Sequence, residues 1–311
     1  MLQNRSTHSQ SLSYAVKLGN FTAKVVRVFK VILVLLVSLI PVGRVQASDW
    51  RCGAGVNSDG ADSMAAGNGS SSWSTYQLLP PVAVDQLFAP DFAKQPLRLS
   101  DVAFVPQFEA AAFNWLKKAS QEPVEIAKIT AKADYLDRLP VRIRSGSPNS
   151  FLIWQEALLS KGLALLMPET SDDVVRLIAA EDTAISNGLG MWRDDAMDEP
   201  PYVVAAASDK TLWGRSNLAD VKDAIGQFVV VDAVLVSVEH QEWRSYLNFG
   251  QNWRHDFTIA IGSDLRDVLV GSKEALDDWI GRKVRVRGVI ENRGGPYIAL
   301  QNLNWLCVEA Q

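Results

Sequence analysis

The chain has 311 residues, 48% of them apolar and 21% charged, which is enough for two ordinary domains with sizeable cores. A formal net charge of −4 excludes binding to nucleic acid through an overall basic surface, so any such affinity needs a local basic stripe. Only His240 and His255 lie beyond the first 47 residues, which excludes a His-rich metal site in the mature chain.

In chain order, residues 1–47 read as a secretory signal peptide. Lys17, Lys24, Arg27 and Lys30 lead into the apolar run VILVLLVSLIPV (31–42), and VQA (45–47) places a small residue before Ser48. The run is shorter than the roughly 20 residues that span a bilayer, so no stable membrane span remains after cleavage. Export to a bacterial periplasm or the medium is therefore expected, with retention as an N-terminal membrane anchor as the alternative. An oxidising compartment makes Cys52 and Cys307 a candidate disulfide joining the two ends of the mature chain. The other reading of Cys307, in LNWLCV, is a small buried hydrophobe.

Residues 48–78 read as a flexible linker, because 53–75 are rich in Gly, Ser, Asn and Ala without periodicity. A first domain is expected over 79–197. LRLSDVAF (97–104), PVEIAKIT (123–130) and LPVRIRS (139–145) look like strands, and EAAAFNWLKKAS (109–120) has helical spacing. SFLIWQEALLSKGLALLMP (150–168) starts extended and turns helical. SDDVVRLIAAEDTAISNGLGMW (171–192) reads as a helix with Ser171 at its N-cap and Gly188 at its end. DDAMDEPP (194–201) marks a boundary, giving a linker over 198–209 and a second domain over 210–311.

The second domain reads as strands over 227–241, 242–250 and 255–261, a helix over 265–281, and a hairpin made by 282–292 and 296–301. Three strands, a helix and a hairpin is the order of an OB barrel. Strand alternation sets Val284, Val286 and Gly288 on one face and Lys283, Arg285 and Arg287 on the other, while Arg244, Tyr246 and Asn248 share a face of the second strand. Basic residues interleaved with an aromatic suit a surface that tracks phosphates and stacks bases, so Arg244, Tyr246, Lys283, Arg285 and Arg287 are the candidate nucleic-acid contacts. An ordinary solvated face is the competing reading.

Several stretches of the first domain resemble the staphylococcal-nuclease-like (thermonuclease) family, over about residues 80–195. EALLSKGLALLMP is similar to that family's helix followed by GLA and a proline, and LIAAEDTAISNGLGMW to its last helix and G-x-W turn. Arg98 of LRLSDV stands where the family has an arginine on a central strand, and DYLDR (134–138) where it has an Asp-x-x-x-Arg turn. The segment YLNFGQNWRHDFT is similar to a barrel that accompanies some bacterial thermonuclease-like proteins. The resemblance implies a mainly β fold with helices (α+β): two tandem OB-type five-stranded barrels, the first with C-terminal helices.

That family hydrolyses phosphodiesters with a carboxylate-held Ca²⁺, a glutamate that activates water and two arginines that stabilise the transition state. By position, Arg98 and Arg138 match the arginines and Asp134 the acid that opens the second motif. The metal and base positions are lost. Ala103 stands where the family has a metal-binding Asp, Gln107 follows Pro106 where it has Glu, and Asp85 lacks a partner acid. Losing metal and base removes about 5 kcal/mol or more of transition-state stabilisation, about four powers of ten in rate. Arg98, Arg138 and Asp134 are thus expected to be a relic phosphate site, or else structural ion pairs, and no cofactor is expected. The exported protein is expected to bind single-stranded nucleic acid or another polyanion without cutting it. One alternative is a divergent Ca²⁺-dependent phosphodiesterase whose metal ligands come from Asp85, Asp101 or Glu109. Another is an envelope module that binds a protein partner.

Overall fold

A computed structural model describes residues 50–53, 72–92, 95–169, 173–193, 203–205, 221–252, 256–271 and 273–310. The chain divides into Met1–Gln46 and Ala47–Gln311, and every described residue lies in the second unit. The predicted signal peptide, Ser171 and His255 lie outside the described residues.

The elements of the first half are β1 (Trp50–Cys52), β2 (Ser74–Tyr76), β3 (Leu97–Leu99), β4 (Val102–Ala103), α1 (Glu109–Ala119), β5 (Val124–Lys128), β6 (Leu139–Ser147), β7 (Ser150–Ile153), α2 (Trp154–Ser160), β8 (Leu165–Leu166) and α3 (Val174–Ser186). Those of the second are β9 (Val203–Ala205), β10 (Phe228–Val234), β11 (Ser237–His240), β12 (Arg244–Asn248), β13 (Thr258–Gly262), α4 (Ser263–Val270), β14 (Lys283–Val289), β15 (Glu291–Asn292), β16 (Pro296–Ala299) and β17 (Leu306–Glu309). The fold is mixed α+β, mostly sheet with few helices. One sheet runs β2-β5-β6-β3 with β7 on β6, a second β1-β17-β14-β10-β9, and a third β11-β12-β13-β16-β15, with β4-β8 as a separate pair. Among the described residues no sheet closes into a barrel, where the sequence predicts two five-stranded barrels.

Local chemistry explains where elements depart from expectation. The run 97–104 breaks at Asp101, which sits at φ 63° between β3 and β4, a conformation that Asp tolerates better than most residues. The run 227–241 splits because the backbone changes partners at a corner: Leu235 N–H donates to Arg282 O at 3.0 Å and Val236 N–H to Asn248 O at 2.9 Å. The predicted helix 265–281 is α4 followed by a 3₁₀ stretch, Lys273–Trp279. The predicted hairpin is only β15 with β16, since β14 pairs instead with β10 and β17. Two strands, β1 and β2, fall within the stretch read as a linker.

The GLA and GLG segments meet each other. Gly162 (φ +63°) and Gly190 (φ +56°) pack backbone to backbone, and Met191 N–H donates to Gly162 O at 3.0 Å. A Cβ on Gly190 would lie 2.2 Å from Gly162 O, so neither position accepts a side chain.

One core gathers Leu97, Leu116, Ile126, Val141, Ile143, Trp154 and Leu158 of the first half with Trp50 and Cys307. Another gathers Val229, Val231, Ile259, Ile261, Trp279, Val284, Val286 and Ile298. A third cluster joins the halves, packing Ala184, Ile185, Met191 and Trp192 against Val230. The middles of β10 and β14 are therefore covered on both faces, which accounts for the run of buried residues between their ends. Among the described residues no helix is long and apolar enough to cross a membrane.

Candidate functional site

DYLDRL folds into a tight turn that delivers Arg138 to the start of β6. Asp134 Oδ1 accepts from the backbone N–H of Leu136 (2.9 Å) and of Arg138 (3.0 Å), and Asp137 takes φ 60°. β6 runs parallel to β3 with Leu97 opposite Leu139 and Arg98 opposite Pro140, so Arg98 and Arg138 arrive side by side. Both Nε atoms donate to the same oxygen, Asp134 Oδ2, each at 2.9 Å. A cavity of about 490 Å³ lies over this pair, lined by Asp85, Arg98, Glu109, Asp134, Tyr135 and Arg138 among others. The structure thus brings Arg98, Arg138, Asp134 and Asp85 together.

Both Arg98 Nη atoms and Arg138 Nη1 are also engaged. Arg98 forks onto Glu169 at 2.5 and 2.8 Å, and Arg138 Nη1 pairs with Asp85. Donation to Glu169 drives the Arg98 pKa up against the opposing effect of burial. At Asp134, burial works to raise the pKa, but the backbone donors Arg138 and Leu136 and the Arg138 side chain outweigh it and hold the carboxyl below the usual range.

Ion pairing continues away from the cavity. Glu169 N–H donates to Asp101 Oδ1 at 2.8 Å, Asp101 lies 3.6 Å from Arg142, and Arg142 bonds Asp173 at 2.9 Å. Asp101 is buried beneath this chain of charges and is not among the residues lining the cavity, because its positive φ takes it out of the strand alternation. Ca²⁺ takes six or more oxygen ligands. Here both Asp134 oxygens already accept hydrogen bonds, Asp85 is paired to Arg138, and among the described residues no cluster of three acids, His or Cys is placed to hold a metal. The donor set does not fit the ion that the resemblance implies.

The expected basic stripe on β14 is corrected. Its alternation is as read, with Val284 and Val286 in the core, but Arg285 and Arg287 are 0% and 1% exposed. The face they occupy is covered by α3 and by β1. Arg285 forks onto Asp232 at 2.7 and 2.9 Å and bonds Asp182 at 2.7 Å, while Arg287 pairs with Glu181. Burial lowers the Arg285 pKa, but Asp232 and Asp182 outweigh it and raise the pKa overall, whereas for Arg287 burial prevails and the pKa falls. Lys283 lies 3.7 Å from Glu309. Beside the cluster, Cys52 and Cys307 form a disulfide across the β1–β17 pair, in register with each other.

Arg244 and Tyr246 have a different setting. They line a cavity of about 440 Å³ on the outer face of the third sheet, together with Asn248, Thr258, Arg293 and Tyr297. In register, Arg244 lies opposite Gly262, and Tyr246 opposite Ala260, whose next neighbour is Ala299. Arg244 Nη1 donates to Tyr297 Oη at 3.4 Å, and among the described residues Arg244 makes no ion pair with a carboxylate. The Arg293 guanidinium lies 5.2 Å from the Tyr297 ring centre and bonds Glu291 at 2.7 Å. Burial pushes the Tyr297 hydroxyl up.

Sequence reasoning missed Glu169, the Glu181–Asp182 pair, Arg293 and Tyr297. The acid pair gave a usable signal, since adjacent carboxylates inside the apolar helix LIAAEDTAIS require buried partners. Glu169 gave none beyond following Pro168. No protein-family model matches the chain, and a search of curated proteins finds none that matches it.

Proposed function

We propose that the protein acts by binding a polyanion, single-stranded nucleic acid above all, and does not hydrolyse it. In this reading the first half is a degenerate thermonuclease-like, OB-type module and the second half a further OB-type module. One observation carries it: Arg98 and Arg138 share Asp134, Glu169 takes both Nη atoms of Arg98, and Asp85 takes Nη1 of Arg138. Arginines so held give full support to a developing phosphate charge only after two carboxylates are displaced, and each displaced acid then repels the phosphate. The disulfide supports placing the protein outside the cytoplasm, where such bonds persist.

Incubating single-stranded DNA with the purified protein, with and without Ca²⁺, tests the reading. Retention of intact strand at low salt and its release at high salt are expected. A second reading, a divergent phosphodiesterase, is favoured by Asp85 and Glu109 lining the same cavity as the two arginines. Ca²⁺-stimulated cleavage that disappears in Arg138→Ala decides for it.

A further inference from the structure

We infer that the cavity on the β12–β13–β16 face is a nucleotide-unit site. It takes one phosphate of a single strand on Arg244 and the neighbouring planar base against Tyr246, beside the largely buried Tyr297. This rests on the binding reading above and gives it a location. The arginines at positions 98, 138, 285 and 287 are each held by carboxylates, so a phosphate gains little from them without displacing an acid. Arg244 is exposed and among the described residues has only the Tyr297 hydroxyl as a hydrogen-bond partner, so it offers a cation at no such cost. Arg293 adds a second positive charge at the rim, moderated by Glu291.

Size and shape agree with one monomer unit. The volume of about 440 Å³ falls within the range of roughly 300–1,000 Å³ typical of small-ligand sites. Arg244, Tyr246 and Asn248 of β12 line the cavity beside Thr258 of β13, with Tyr297 of β16 beyond. The amide of Asn248 and the hydroxyl of Thr258, 3.2 Å apart, present polar groups to a base edge. Glu239 also lines the hollow and disfavours a densely charged chain such as polyphosphate. One phosphate per ring fits this balance better. An acidic sugar brings the charge without the π face.

Fluorescence anisotropy of a labelled oligothymidylate tests the assignment on the purified protein. Arg244→Ala is expected to weaken binding about tenfold and to lower the slope of log affinity against log salt by about 0.7, the contribution of one single-strand phosphate. Tyr246→Ala is expected to weaken binding about tenfold with the slope unchanged, as loss of stacking predicts. Arg176→Ala, on the exposed side of α3, is expected to bind as the unaltered protein does. If Arg244→Ala and Tyr246→Ala bind normally while Arg138→Ala weakens, the location is wrong and the binding reading stands. Binding of an acidic polysaccharide in place of the oligonucleotide overturns the nucleotide assignment alone. Absence of binding to any polyanion overturns both.

Discussion

Asp182 on α3 and Arg285 on β14 form a 2.7 Å ion pair although 103 residues separate them. The other oxygen of Asp182 accepts from the indole N–H of Trp50 at 3.3 Å, and the Arg285 guanidinium lies 4.7 Å from the Trp50 ring centre. With Asp232 completing the fork, one buried arginine ties the last helix of the first half, the strand β1 and the sheet of the second half into one unit.

Removing one member of this cluster leaves the others charged and buried. Asp182→Ala or Arg285→Ala is expected to cost about 3–5 kcal/mol, the range for breaking a buried pair. Urea unfolding followed by tryptophan fluorescence measures it. Because the halves share this cluster, a single transition is expected in the unaltered protein, and two separated transitions count against the tie.

The same cluster has a pH signature. The ion pairs of Glu181, Asp182 and Asp232 set three acids against Arg285 and Arg287, so a proton on one acid balances these five groups. Burial pushes the Glu181 carboxyl up, against the pull of Arg287, Arg285 and the Leu166 N–H. The folded chain then holds this proton to higher pH than the unfolded chain, whose value is about 4.5. Its contribution is fully present below that pH and is lost as pH rises through the folded value. Asp134 has the opposite sign: with its pKa lowered from 3.8, its contribution is present above that value and fades as acid protonates the folded form. Urea midpoints across acidic pH are expected to show Glu181→Gln removing the decline with rising pH, and Asp134→Asn removing the loss in strong acid.

The disulfide Cys52–Cys307 closes a loop with a sequence separation of 255. Chain-entropy reasoning for so long a loop gives about 5.5 kcal/mol of stabilisation. Cys52→Ser or a reducing agent is expected to lower the melting temperature accordingly. It should also release β1, which holds only the edge of its sheet through β17, and with it the Trp50 cover on Arg285. Hydrogen exchange at Arg51 and Cys52 reads that release.

Asp134 anchors both the turn and the arginine pair. Asp134→Ala removes acceptors for Leu136 N–H, Arg138 N–H and both Nε atoms, and is expected to cost about 2–3 kcal/mol. Asp134→Asn keeps one oxygen for the turn and is expected to cost less. Equal losses in the two variants contradict the division of labour between Oδ1 and Oδ2.

Much of this was legible in the residues, and the failures have physical reasons. The helices at 109–119 and 174–186 and the strand at 139–147 follow from apolar periodicity, which depends only on local burial. Arg98 and Arg138 were paired through a family resemblance, and the parallel β3–β6 register explains their meeting. The β14 alternation was read correctly while its exposure was not. A period of two says that two faces differ, not what covers the polar one, and α3 comes from a segment about a hundred residues away. The corner at Leu235 left no mark either, because a bend between two sheets needs no glycine when backbone donors find new acceptors. Tyr297 and Arg293 escape a reading of the sequence because they reach this cavity from β16 and the turn before it, about 50 residues beyond Arg244 and Tyr246.

The central claim, binding without cutting, meets its most direct test in one tube. Labelled single-stranded DNA is titrated with the purified protein in Ca²⁺, anisotropy is recorded, and the same samples are then run on a denaturing gel. Salt-sensitive binding with the strand intact after prolonged incubation is the predicted result. Shortened products that require Ca²⁺ and vanish in Arg138→Ala would contradict it.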